Sequence, residues 1–201
     1  MRYQKLRSNY EITDNAGMMF VVGPEADLTG ADLRGMDLSY TDLAGAKFQG
    51  ADLAFTELSY SDFTAANFSP SEYAPVALDW AVMIGANFEF ADLTGVSMVE
   101  AEAENANFFY ACFEGANLTG ADLTNADLSY AQMERADLRA AITKNAEFHN
   151  ATNFIGLTDE QWMRLTFESI PRHRYSILRR MGIYQSTSHF VRHNSGKKKP
   201  F

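Results

Sequence analysis

The chain has 201 residues, 46% of them hydrophobic, and a formal net charge of −9. That length can bury one continuous core, with or without an extension. The single cysteine, Cys112, excludes an internal disulfide and a thiol-based structural zinc, which suits a reducing compartment. Charge is divided along the chain: residues 1–25 balance at zero, residues 26–151 carry twenty acidic against five basic side chains, and residues 152–201 carry nine basic against three acidic. An acidic body therefore bears a basic tail.

Residues 1–25 contain one short apolar patch, from Met18 to Val22, preceded by mixed charge and with no small-residue cleavage site beside it. It is too short to span a membrane and lacks the layout of a signal peptide, so no membrane association and a cytoplasmic location are expected. The segment reads as an N-terminal cap, with residues 10 to 25 laid over the exposed edge of the body.

From residue 26 a five-residue pattern takes over. Its central position falls at Leu28 and every fifth residue to Phe148, and is Leu, Phe or Met except at Tyr73, Ala103 and Thr143. Two positions earlier stands a small residue, usually Ala, and between the two comes Asp, Asn or Glu in most copies. A period of five fits neither the 3.6 of a helix nor the 2 of a strand, so the chain has to turn at every repeat. If four repeats make a coil, centres twenty apart stack. Leu28, Phe48, Phe68, Phe88, Phe108, Leu128 and Phe148 would then form one ladder, and Leu38, Leu58, Leu78, Met98, Leu118 and Leu138 the opposite one.

Motifs such as ADLTG (26–30), ADLRG (31–35), ANLTG (116–120) and ADLTN (121–125) resemble the A-(D/N)-L-X-X consensus of the pentapeptide-repeat family, over residues 26 to about 151. The resemblance implies an all-β solenoid, a right-handed quadrilateral β-helix, here of about six coils at residues 26–156. The stretch 69–83 keeps its phase through Pro70 and Pro75, two residues after a centre. A continuous coil with altered turns is expected, with a small outward bulge as the alternative.

Gly156 ends the pattern, and TDEQWMRLTFESI, opening at Thr158, has the capping residue and early acidic side chains of a helix, with Pro171 as its stop. Residues 157–201 are thus expected to form a C-terminal α-helical cap and a basic tail. In the tail, Arg172, Arg174, Arg179 and Arg180 flank an apolar patch, and Lys197, Lys198 and Lys199 come after it, suiting contacts with an acidic partner. Nucleic acid could be bound only through this tail.

A core packed with Leu and Phe leaves no room for a substrate, so no catalytic residue, cofactor or metal is expected and the chain reads as non-enzymatic. His189 and His193 have ligand-like spacing but no thiol or acidic partner nearby. Information lies on the outward positions. Asp32, Asp52, Glu72 and Asp92 fall twenty apart, as do Asp42, Asp62, Glu102 and Asp122 with a gap at Val82, which would place acidic columns on two adjacent sides. Tyr40, Tyr60 and Trp80 repeat at twenty, and so do Phe90, Tyr110 and Tyr130. These carboxylates and aromatics are the candidate partner-binding residues.

About six coils at ~4.8 Å make a rod of roughly 30 Å, over which duplex DNA carries about eighteen charges. The net −15 of residues 26–151 is comparable. The family resemblance adds that several such proteins mimic duplex DNA and bind DNA gyrase or topoisomerase IV. It also allows a homodimer through the C-terminal helix. The expected function is a protein-binding β-solenoid, most specifically a DNA-mimicking modulator of a type II topoisomerase. The alternative is a scaffold whose rod is a rigid spacer and whose tail docks on a protein or nucleic acid.

Overall fold

The structure is a computed structural model that describes residues 9–72 and 74–151. The described chain opens with an antiparallel hairpin, β1 (Tyr10–Thr13) and β2 (Met19–Val22), in register Tyr10↔Val22 to Thr13↔Met19. The described residues after it belong to a solenoid. The C-terminal helix and tail expected at 157–201 lie outside the described residues.

Each repeat contributes one straight segment and one corner. The segment is too short for a strand of its own, so pairing takes the form of single parallel bridges between successive coils. Four ladders of bridges result, one per wall. Wall 1 runs through Asp27, Lys47, Asn67, Asp92, Cys112 and Gln132, and wall 2 through Asp32, Asp52, Ala77, Ser97, Asn117 and Asp137. Wall 3 runs through Asp37, Glu57, Val82, Glu102, Asp122 and Ile142, and wall 4 through Asp42, Asp62, Asn87, Asn107, Asp127 and Glu147. Beyond the first coil, each bridge residue both accepts from and donates to the preceding coil, on either side of its bridge partner, as when Leu28 N donates to Lys47 O at 2.8 Å and Lys47 N to Ala26 O at 2.8 Å around Asp27.

Corners have a uniform geometry. The carbonyl of the central residue accepts the amide three residues on, as from Ala51 to Phe48 at 2.8 Å, which closes a β-turn. The third residue of that turn has positive φ at every fifth position from Glu25 to Asn150, with two exceptions, 70 and 75. This is the sign pattern of a type II turn. Both exceptions are prolines, whose ring holds φ near −65° and which lack the amide that other corners donate to the next coil.

The consequence is a correction to the expected continuous coil. Bridges are twenty apart everywhere except across this stretch, where Asp52 pairs with Ala77, Glu57 with Val82, Asp62 with Asn87 and Asn67 with Asp92, each twenty-five apart. One repeat's length leaves the coil between Ser69 and Val76 and loops outward, which is the bulge that stood as the alternative. The loop departs between Gly50 and Gly95 of the wall 1 to wall 2 corner; a β-carbon on Gly50 would fall 2.7 Å from Ser71 Oγ.

The ladders therefore change partners at the loop, and the single expected phenylalanine ladder is split over two walls. Phe48 stacks on Phe68 in wall 1 at 4.5 Å between centroids, while wall 4 stacks Phe63, Phe88 and Phe108 at 4.7 and 5.1 Å. Phe68 and Phe88 meet across the corner, tilted at 51°. The leucine ladder divides likewise: Leu78, Met98, Leu118 and Leu138 are on wall 2, Leu38 and Leu58 on wall 3, as their neighbouring bridge residues show. All these side chains are fully buried. The small residue two positions before the centre is buried where the wall turns inward in all the repeats but those of Ala26, Met36 and Ser71; its hydroxyl versions bond the backbone, as Thr56 Oγ1 does to Leu33 O at 2.9 Å and Ser61 Oγ to Leu38 O at 2.7 Å.

The hairpin seats on the first coil. Asn15 N donates to Asp32 O at 2.9 Å, Asp32 N donates to Asp14 Oδ2 at 3.0 Å, and the Tyr10 hydroxyl bonds Thr41 Oγ1 at 2.9 Å. The Asp32 amide, with those of Met18 and Ala16, holds the Asp14 carboxyl below the usual carboxylate range against the opposing effect of burial. Two polar groups of an open edge are thereby satisfied.

Candidate interaction surface

The outward positions are the residue before each centre, the residue after it, and the corner. The first of these has a structural task. Its side-chain oxygen accepts the amide two residues on: Asp27 from Thr29, Asp52 from Ala54 at 3.0 Å, Asp62 from Thr64 at 2.9 Å, Asn67 from Ser69, Asn107 from Phe109, Asp122 from Thr124 at 2.9 Å and Asp127 from Ser129 at 2.8 Å. Asp and Asn do this equally well, because both offer an oxygen at the right reach. Cys112 occupies the same slot, half-buried, with Sγ 3.2 Å from Thr94 Oγ1.

The loop rearranges the expected acidic columns. Asp32 and Asp52 share wall 2, Asp42 and Asp62 share wall 4, Glu102 and Asp122 share wall 3, and Asp92 stands on wall 1. Glu72 is exposed in the loop. The carboxylates are thus spread over four walls. Their compensation is uneven. On wall 2, Arg34 pairs with Asp32 at 2.6 Å and lies 3.5 Å from Asp52, and Arg139 pairs with Asp137 at 2.6 Å. Those guanidinium bonds lower the Asp32 and Asp137 pKa values. Walls 1 and 3 carry Lys47 and Lys144, whereas wall 4 carries Asp42, Asp62, Glu89, Asp127 and Glu147 with no lysine or arginine.

The aromatics also regroup. Tyr40 stacks on Tyr60 at 5.2 Å, but Trp80 stacks on Phe55, at 5.1 Å and 4° between planes, and not on Tyr60. Tyr60 instead lies over Gly85, where a β-carbon would come within 2.8 Å of its ring. Phe55, 60% exposed, is the residue that sequence reasoning missed; its spacing of twenty-five from Trp80 would have revealed it. Phe90, Tyr110 and Tyr130 form the expected column at the wall 4 to wall 1 corner, with centroid spacings of 5.6 and 4.8 Å. Above Gly85, Asn145 donates to Asn125 and Asn125 to Asn105, an amide ladder in place of rings.

Among the described residues no group of three or more His, Cys, Asp or Glu side chains is placed to hold a metal ion, and no helix is long and apolar enough to cross a membrane. His189, His193 and the tail contacts Arg172, Arg174, Arg179, Arg180 and Lys197 to Lys199 lie outside the described residues.

The profile of the pentapeptide repeats family matches in eight copies, over residues 26–64, 46–69, 76–108 and 104–139, which together take in more than half the chain and skip the loop. The chain belongs to the pentapeptide repeat family. Among solved structures, the pentapeptide repeat protein HetL of the cyanobacterium Nostoc sp. strain PCC 7120, involved in heterocyst differentiation regulation, is 33% identical with a TM-score of 0.56. The match covers 64% of this chain and 60% of HetL, so the chain spans less than two thirds of that protein. The pentapeptide repeat protein Rfr23 of the cyanobacterium Cyanothece 51142 is 26% identical over 53% of this chain and 63% of its own, with a TM-score of 0.36. QnrB1, a plasmid-mediated fluoroquinolone resistance protein, is 17% identical over 72% and 85%, with a TM-score of 0.33. No curated protein matches the chain. Pentapeptide repeat proteins are in general structural or binding proteins and not enzymes, which directs attention to the outer walls.

Proposed function

We propose that the chain is a non-enzymatic, protein-binding β-solenoid whose outer surface takes the place of duplex DNA in the cationic groove of a type II topoisomerase such as DNA gyrase. The observation that carries this reading is acidity beyond what the turns need. Glu89, Glu100, Glu104, Glu114 and Glu134 lie outside the amide-capping position, so the fold does not call for a carboxylate there. Wall 4 supports it further, having carboxylates and no lysine or arginine to oppose them.

Six coils of this surface would span about 30 Å, over which duplex DNA offers roughly eighteen charges. Net −15 over residues 26–151 is of the same order. A groove evolved for phosphates would meet a similar field, which speeds and orients docking.

The test is gyrase supercoiling at micromolar protein, with and without a quinolone. An effect is expected, and Asp42→Asn with Asp62→Asn should weaken it by about tenfold while the turn caps persist. Supercoiling unchanged in both conditions sinks the topoisomerase reading. The scaffold reading, with the basic tail as the attachment, draws on the charge split between residues 26–151 and 152–201. A chain ending at Ile170 that recovers its partner undiminished would remove it.

A further inference from the structure

The loop between Ser69 and Val76 does more than interrupt the coil: it assembles wall 3. With a spacing of twenty-five, Phe55 meets Trp80 at one corner of that wall, and Tyr60 covers Gly85 at the other. A spacing of twenty would have put Pro75 against Phe55 and Trp80 against Tyr60. Between the two corners stand Val82 and Ile84, both half-buried. Val82 occupies the slot that holds Asp37, Glu57, Glu102 and Asp122 elsewhere on the wall, with Ile142 the other apolar occupant. The coil from Trp80 to Gly85 is thus apolar across wall 3, and Glu57 stands between the two rings of the coil before it.

Immediately beyond it the character reverses. The next coil presents Glu100, Glu102 and Glu104 on alternate residues, about 4.8 Å away. Glu100 and Glu102 are exposed. None of the ion pairs of the described residues involves these three; they join Arg34 to Asp32 and Asp52, Arg139 to Asp137, and His149 to Glu147.

The aromatics are there against local preference. Phe55, Tyr60 and Trp80 have φ of 60°, 60° and 55°, a region where glycine and asparagine are at ease and bulky side chains are strained. The same two corners also hold Gly35, Gly120, Gly85, Asn105, Asn125 and Asn145. Yet the three rings remain 60%, 50% and 49% exposed. Stacking offsets part of the strain. It leaves their outer edges in water.

We propose that this part of wall 3 is a docking site for a protein segment that combines apolar anchors with lysine or arginine beside them. The rings and Val82 and Ile84 take the anchors, and the glutamate row takes the cations. Aromatic residues at the centre of a patch with charge at its rim are the layout of energetic hot spots. A purely DNA-like surface would need no apolar step. The proposal rests on the reading of the chain as a protein-binding solenoid and does not require the partner to be a topoisomerase.

The test is fluorescence anisotropy of three labelled synthetic peptides of equal length on the full chain: a leucine–lysine amphipath, polylysine and a leucine–glutamine amphipath. The leucine–lysine peptide is expected to bind at least about tenfold tighter than either of the others. Phe55→Asn with Trp80→Asn should weaken it by about tenfold, as should Glu102→Gln with Glu104→Gln, while Asp27→Asn with Asp137→Asn on walls 1 and 2 changes it by less than about twofold. Asparagine tolerates positive φ, and thermal unfolding checks each variant. If the aromatic variant fails to fold, Val82→Asp, which restores the usual capping residue, is expected to give the same loss. Absence of peptide binding, equal binding of polylysine, or equal loss in the wall 1 and 2 variant overturns the proposal. Peptide binding without any effect on gyrase would remove the topoisomerase reading and leave this site; gyrase inhibition without peptide binding would do the reverse.

Discussion

At the scale of single residues, the acidic position of each repeat has two properties that are easily confused: an oxygen that caps a turn and a charge that faces outward. Asp127 separates them. Its Oδ1 accepts the Ser129 amide at 2.8 Å, and its carboxylate is half-buried beside Asn107 and Glu147 in the wall 4 ladder. Asp127→Asn keeps the acceptor and should move stability by less than about 0.5 kcal/mol. Asp127→Ala removes it and should lower stability by about 1 kcal/mol, the net worth of one hydrogen bond. Urea unfolding measures both. Equal losses would mean that charge, and not the cap, is what the fold uses there. This capping role was only half legible in the sequence. The alternation of Asp and Asn was plain, but the amide they serve lies two residues away along a turn whose geometry the five-residue period does not reveal.

At the scale of elements, the loop turns on Pro70 and Pro75. The sequence places both at corner positions, where a missing amide is ordinarily tolerated. What the pattern concealed was the sign of φ. Glycine, asparagine, tyrosine, phenylalanine and tryptophan share the corner slot, and that mixture hides a left-handed requirement that only proline cannot meet. Phase alone could not decide the matter, because a looped-out unit of five residues keeps every later centre in step. Deleting residues 71–75 together with Pro70→Gly would join Phe68, Ser69 and a glycine corner directly to Val76, Ala77 and Leu78 in unbroken pattern. All bridges on both sides would persist. The shortened chain is expected to fold with stability equal to the parent or higher by about 1 kcal/mol, from the smaller loop and a freed corner. Circular dichroism and thermal unfolding report the outcome. A large loss would mean that the excluded residues brace the coil. The coil itself, its buried Leu and Phe centres and its small inward residues were legible from period and residue size, since an apolar centre at every fifth position leaves the chain no other way to bury them.

For the whole molecule, charge is the quantity that the fold has to tolerate. The bridge partners Asp32 and Asp52, Asp37 and Glu57, Asp42 and Asp62, Glu102 and Asp122, and Asp127 and Glu147 set carboxylates side by side on successive coils. Of these pairs, Arg34 reaches the first, with contacts of 2.6 and 3.5 Å. Two unit charges about 4 to 5 Å apart in water repel by roughly 1 kcal/mol, and salt weakens what the solvent reaches. Folding holds the pairs together; unfolding lets them separate. Repulsion therefore acts against the native state, and screening acts for it. Raising NaCl from about 10 mM to about 150 mM should lift the thermal midpoint by roughly 3 °C or more, since 1 kcal/mol corresponds to about 2–4 °C for a chain of this size. Asp42→Asn with Asp62→Asn removes one pair while keeping its caps, so that variant should start higher and gain less from salt. A midpoint that is flat or falls with NaCl would show that ion pairs such as Arg34–Asp32 outweigh the stacked carboxylates, and that the acidic surface is already balanced within the molecule.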